Sequence, residues 1–136
     1  MSNKGEKMGR NIQVGQEIPV LTKTAFMPIE EDARNPIHTE GYAKKFGMRG
    51  ALVAGSTLLS YMLEMLYNTF GEKWLSHGKI NISFIGGGAL NGDQIIVHGL
   101  VESIETQEDG DRITLDIWME NQNGVKIMVG QASCLG

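Results

Sequence analysis

The chain is short of the features that mark several protein classes. It has one cysteine, Cys134, in 136 residues, which excludes an internal disulfide and any site built from several cysteines and fits a reducing compartment. No apolar run approaches the roughly 20 residues that a membrane-spanning helix needs. Met1 to Arg10 contains no apolar segment of the kind a secretory leader carries. Positive charge is scarce too: Lys and Arg total 12 against 16 Asp and Glu, for a net charge of −4. A general nucleic-acid binder concentrates Lys and Arg against phosphate, and no basic stripe with interleaved aromatics is present. His38, His77 and His98 are the only histidines, and neither His77 nor His98 stands at metal-ligand spacing from another His, Cys or carboxylate. The expectation is a cytoplasmic protein with no metal, no nucleic-acid partner and no membrane contact.

The length suits one domain, able to bury roughly two-thirds of its unfolded surface. A hydrophobic fraction of 41% with 21% charged residues is ordinary for a globular chain. Residues 1–14 are polar, with little to bury, and read as a mobile N-terminal tail; residues 15–136 read as a single domain. Gln16 to Thr24 has Ile18, Val20 and Thr22 at period two, a strand that Pro19 confines to an edge. Thr39 to Phe46 predicts a short helix, capped by Thr39, with Tyr42 and Phe46 on one face and Gly47 after its end.

Ser56 to Phe70 is the principal helix. Leu58, Leu59, Met62, Leu63, Met65, Leu66 and Phe70 cover far more than one stripe, and a helix apolar nearly all round must be buried. Lys79 to Ile85 alternates as a strand with Ile80, Ile82 and Phe84 on one face. Gly86-Gly87-Gly88 reads as a turn or bulge: it lacks the spacing and the lysine of a phosphate loop. Gln94 to Thr106, Arg112 to Asn121 and Val125 to Cys134 are further strands, joined by a hairpin turn at Glu108-Asp109-Gly110-Asp111 and by Asn123-Gly124, a turn of the type that favours tight hairpins. One buried helix followed by several strands predicts an α+β fold, a curved antiparallel sheet wrapped around that helix.

The stretch from Asp32 to Leu58 carries the candidate chemistry. Asn35-Pro36 forces a turn that delivers His38 from a bent segment. Further on, Gly55-Ser56 opens the principal helix, whose first N–H groups have no partner within the helix. An imidazole base and an anion-binding helix end therefore lie close together in the sequence. Ser56 reads as a helix cap rather than a nucleophile, because no Gly-x-Ser-x-Gly elbow surrounds it. Trp74 reads as a plug closing the loop after the helix. Trp118 lies on the strand face opposite Ile117 and Met119, available to an interface.

Asn35-Pro36-Ile37-His38, Tyr42-Ala43, Gly47-Met48-Arg49-Gly50, Phe84 and Gly92-Asp93, taken in order, resemble the MaoC-like dehydratases, which include the (R)-specific enoyl-CoA hydratases. The likeness runs from about Pro28 to Gln131 and is specific as a combination. It implies a hot-dog fold, a homodimer or higher homo-oligomer, and reversible hydration of an enoyl thioester carried by coenzyme A or an acyl carrier protein. Coenzyme A enters only as part of the substrate, with no separate cofactor. It implies His38 as the base, Asn35 beside it, Gly55 as oxyanion donor, and Ser56 and Ala54 against the substrate.

Two positions depart from the pattern. The family's aspartate position, two residues before the asparagine, is Ala33 here, with Asp32 one residue earlier. The histidine usually found before the helix-opening glycine is Ala54. Asp32 is the candidate acid, with Glu31 and Glu40 as substitutes. The departures keep open a hot-dog thioesterase using Asp32, Glu40 or Glu64, and an acyl-CoA-binding subunit without catalysis.

Overall fold

The computed structural model describes residues 12–27 and 52–136. The strands are β1 (Leu21–Thr24), β2 (Lys79–Phe84), β3 (Gln94–Gln107), β4 (Gly110–Glu120) and β5 (Lys126–Leu135); the helices are α1 (Gly55–Phe70) and α2 (Glu72–His77). The strands form one sheet in the order β1-β3-β4-β5-β2, every neighbouring pair antiparallel. The expected α+β architecture is the one observed. The tail expected over residues 1–14 lies for the most part outside the described residues, although Ile12 already packs against the core.

Strict alternation in the strands builds the core. On β4 the buried set is Ile113, Leu115, Ile117 and Met119, and on β3 it begins with Ile95 and Val97. These side chains meet Leu58, Met62, Met65, Leu66 and Phe70 of α1 in one cluster. Burying each Leu, Ile or Met is worth about 1.5–3 kcal/mol, so this contact fixes where the helix sits. Gly99 marks its close approach. A Cβ there would meet Ile18 Cδ1 at 2.7 Å and Met65 Cε at 3.4 Å.

Three expectations need correction. The helix is not buried all round: Ser56, Ser60, Glu64 and Tyr67 form an exposed row along one side. That is the spacing of one helical face, so the sheet covers the rest and leaves this stripe open. In the N-terminal strand, Ile18 is buried but Val20 is 54% exposed. Pro19 interrupts the strand, and the inward set resumes out of phase as Leu21, Lys23 and Ala25. The turn at Asn123-Gly124 is also wider than a two-residue hairpin. Asn121, buried, accepts from the backbone N–H of Asn123 and Val125 through its side-chain oxygen, while its own N–H donates to the Val125 carbonyl.

Other expectations match. Trp74 is buried and stacks on Phe70 with ring centroids 6.4 Å apart. The glycine triplet turns the chain after β2, with Gly86 and Gly88 at φ 67° and 73°, a region that glycine enters without steric cost. Cys134 is fully buried, and that burial raises its thiol above the ordinary value against smaller opposing effects from the Leu135 backbone, Arg112 and Lys73.

Two outcomes follow from this packing. A Cβ at Gly130 would fall on the Asn81 carbonyl oxygen and Ile82 Cα of β2, backbone atoms that cannot swing aside, whereas at Gly99 the obstacle is a flexible Ile18 side chain. Both Gly130→Ala and Gly99→Ala are expected to lose about 1–3 kcal/mol in urea unfolding, with the Gly130 variant the less stable; the reverse order counts against the β2–β5 register. Cys134, protonated and covered, is expected to react with a thiol reagent such as Ellman's only when the protein unfolds. Rapid labelling of the native protein is inconsistent with this packing.

Candidate active site

The amino end of α1 is built without a capping side chain. Its N-cap is Ala54, at φ −59° and ψ 142°, and no side chain bonds to the first turn. Ser56, expected as the cap, is instead the second helical residue and exposed. The N–H groups of Thr57 and Leu58 donate to the Ala54 carbonyl at 3.0 and 3.3 Å. Among the described residues nothing accepts from the N–H of Gly55 or Ser56. Among the described residues these two amide donors, at the positive end of a helix dipole, face no acceptor, the arrangement that suits an anionic oxygen.

Phe84 forms a wall beside these donors. A Cβ added to Gly55 would meet its ring at 3.1–3.6 Å, so a larger residue at position 55 would have to displace the ring or the helix end. The ring, at the last residue of β2, is half exposed. This corner at the start of α1 brings together Gly55 and Phe84, which are far apart in the sequence. Chemically it offers hydrogen-bond donors next to an aromatic face, a combination suited to a carbonyl oxygen on an apolar chain.

A second set of residues holds this corner, and sequence reasoning passed over most of it. Asn91 accepts from the Met27 N–H and donates to the Met27 carbonyl, both at 2.7 Å. Met27 Sδ in turn accepts from the Ala54 N–H at 3.3 Å. On the other side Val53 N–H donates to the Ala89 carbonyl at 2.7 Å, and Leu52 bridges Leu90. The buried Asp93 carboxylate accepts from Leu90 N–H at 2.9 Å and from the Gln122 side chain at 3.1 Å. Asn91-Gly92-Asp93 had its signal in the sequence as turn-forming residues whose side chains bond nearby backbone.

His38, Asp32 and Asn35, with Ala33, Glu31, Glu40 and the expected helix from Thr39 to Phe46, lie outside the described residues. Gly55, Ala54 and Ser56 are brought to one place. Glu64 is not part of it: its carboxylate pairs with Lys23 Nζ at 3.0 Å on the open side of α1, about 13 Å along the axis from Gly55 at 1.5 Å per residue. Among the described residues no group of three His, Cys, Asp or Glu side chains is arranged to hold a metal ion.

The other histidines sit elsewhere. His98 stacks on its cross-strand partner Trp118, centroids 4.9 Å apart and planes within 10°. On the sheet's outer face its Nε2 is 3.2 Å from Glu120 Oε2 yet is not aligned for a hydrogen bond with it. His77 is exposed at the end of α2, where its carbonyl accepts from Arg112.

No protein-family model matches the sequence, and no curated protein matches it. Solved structures do match in shape. The (R)-hydratase from A. caviae involved in PHA biosynthesis superposes with a TM-score of 0.71 at 20% identity, over 93% of this chain and 98% of that one. A MaoC-like dehydratase from Rhodospirillum rubrum gives 0.66 at 17% identity, over 90% and 91%. A thioesterase superfamily member from Thermus thermophilus gives 0.57 at 17% identity, over 93% and 84%. An antiparallel sheet ordered β1-β3-β4-β5-β2 around one buried helix, matched over nine-tenths of the chain, identifies the hot-dog fold in the form shared by MaoC-like dehydratases and (R)-hydratases.

Proposed function

We propose that the protein is an acyl-thioester hydratase, adding water reversibly across the double bond of an enoyl-CoA or the corresponding acyl-carrier-protein thioester. The observation that carries this reading is the uncapped amino end of α1, with the Gly55 N–H open beside Phe84. In the proposed reaction His38 takes a proton from water as its oxygen bonds to C3 of the enoyl chain. The electron pair of the double bond moves toward the thioester carbonyl, whose oxygen becomes negative and accepts from the Gly55 N–H. The pair then returns to C2, which takes the proton held by His38, and the product is a 3-hydroxyacyl thioester with the imidazole neutral again. Asn35 and Asp32 assist the base, while Ala54 and Ser56 border the thioester. A removed oxyanion donor typically costs about 10²–10³ in rate, so an open amide is a substantial part of such a catalyst.

The thioesterase reading draws on the shared fold of the Thermus thermophilus protein. Glu64 is a poor acid for it, being paired with Lys23 and well along the helix from Gly55. A subunit that binds acyl-CoA without converting it is the reading that Ala33 favours. Coenzyme A belongs to the substrate in each of these, and no further cofactor is proposed.

We also place a homodimer contact at β2. Among the described residues this strand is an edge of the sheet, paired only with β5. An antiparallel strand can pair with its own copy around a two-fold axis, which also removes an open edge. Phe84, Ile85 and Val125, all exposed in one chain, lie at the end of that edge. The protein is proposed to act in the cytoplasm, as its single cysteine suggests; no helix among the described residues is long and apolar enough to cross a membrane.

With crotonyl-CoA, the enoyl ultraviolet absorbance is expected to fall without release of thiol, and His38→Ala to slow this by about 10²–10⁴. Thiol release indicates the thioesterase. A rise in thermal stability with acyl-CoA but no reaction indicates the binding subunit. Light scattering at micromolar concentration is expected to give the mass of at least two chains, and a single-chain mass removes the β2 contact.

A further inference from the structure

We infer that the turn from Gly88 to Asp93 is the positioning element for the amino end of α1, with Asn91 as its working residue. This rests on the hydratase reading only for its consequence in catalysis; the positioning itself is a matter of backbone geometry.

Two independent routes run from the turn to Ala54, one peptide bond before the open Gly55 N–H. One passes through Asn91, whose side-chain amide holds both backbone groups of Met27 at 2.7 Å, and from Met27 Sδ to the Ala54 N–H at 3.3 Å. The other passes through Ala89 and Leu90 to Val53 and Leu52. The turn is itself fixed from two sides. Asp93 ties Leu90 N–H to Gln122, whose side-chain oxygen accepts from Gln94 N–H at the start of β3. Gly92 N–H and Asp93 carbonyl pair with Ala25 carbonyl and N–H, both at 2.8 Å.

The chemistry of Asn91 suits this task. A primary amide offers one acceptor and two donors in a plane, so it imitates a neighbouring strand and saturates one residue's N–H and C=O together. Met27 then has its sulfur free to serve as the acceptor at the helix start. A capping Ser, Thr or Asp would satisfy the first-turn amides with its own oxygen. Here the helix start is held from outside and its first donors stay open. Moving a catalytic donor by 1 Å costs about 10²-fold in rate, so a helix end that lacks its own cap needs this external hold.

The test combines amide exchange with a bound chromophore. In Asn91→Ala, exchange at Ala54 is expected to quicken by about ten-fold or more while Val53, held by Ala89, and the β3–β4 amides keep their protection. With cinnamoyl-CoA, whose absorbance moves to the red when its carbonyl is polarised by hydrogen bonds, the variant is expected to show a smaller shift than the parent. Its kcat for crotonyl-CoA is expected to fall by about 10²-fold with KM little changed.

Met27→Leu keeps the volume and removes the sulfur acceptor, so it serves should Asn91→Ala fail to fold. It is expected to quicken exchange at Ala54 while Val53, held by Ala89, stays protected. Unchanged exchange at Ala54 in the folded variants overturns the inference. A parent protein that leaves crotonyl-CoA unconverted overturns the hydratase reading instead, because exchange is read without any ligand.

Discussion

The seating of α1 against the inner row of the sheet is the contact on which the rest of the molecule depends. Leu58, Met62, Met65 and Leu66 of the helix share one core with Ile95, Val97, Leu115 and Ile117 of the strands, and Gly99 lets the two surfaces close up. Each such side chain is worth about 1.5–3 kcal/mol on burial, against about 1 kcal/mol or less for an exposed ion pair such as Lys23 with Glu64. Packing therefore decides where the helix lies. Its axis then decides where its amino end emerges, beside the last residue of β2 and the turn before β3.

That emergence point explains why the candidate site lies where it does. The core leaves a helix end against a partly apolar wall at Phe84, and among the described residues no side-chain cap takes up its first amides. A cap is worth about 1 kcal/mol, so the chain forgoes that local stability at the start of α1. The Gly88–Asp93 turn compensates by holding the backbone on either side. Stability and availability are separated: the sheet and the turn supply the first, and the helix terminus keeps the second.

The outer face of the sheet has a different character. His98 and Trp118 stack there as cross-strand neighbours, Lys126 lies 5.6 Å from the Trp118 ring centre, and Gln131 bridges Glu102 and Asp116. These contacts knit adjacent strands by their side chains. They join none of the amide donors at the start of α1, so His98 has no part in the proposed reaction.

Periodicity by itself determined the buried helix, the four long strands and hence the curved sheet, because alternation and helical spacing are local properties that burial enforces residue by residue. It placed the helix start within one residue, at Ser56 where the helix opens at Gly55. It misjudged Val20, since a proline shifts the phase of a strand in a way that period two cannot register, and it missed the open side of α1, since hydrophobicity alone does not say how far a sheet wraps. The meeting of Gly55 with Phe84, and of Asn91 with Met27 and Ala54, belongs to the tertiary structure. Those residues are separated by tens of positions, and only the closing of the sheet around the helix determines which side chains become neighbours.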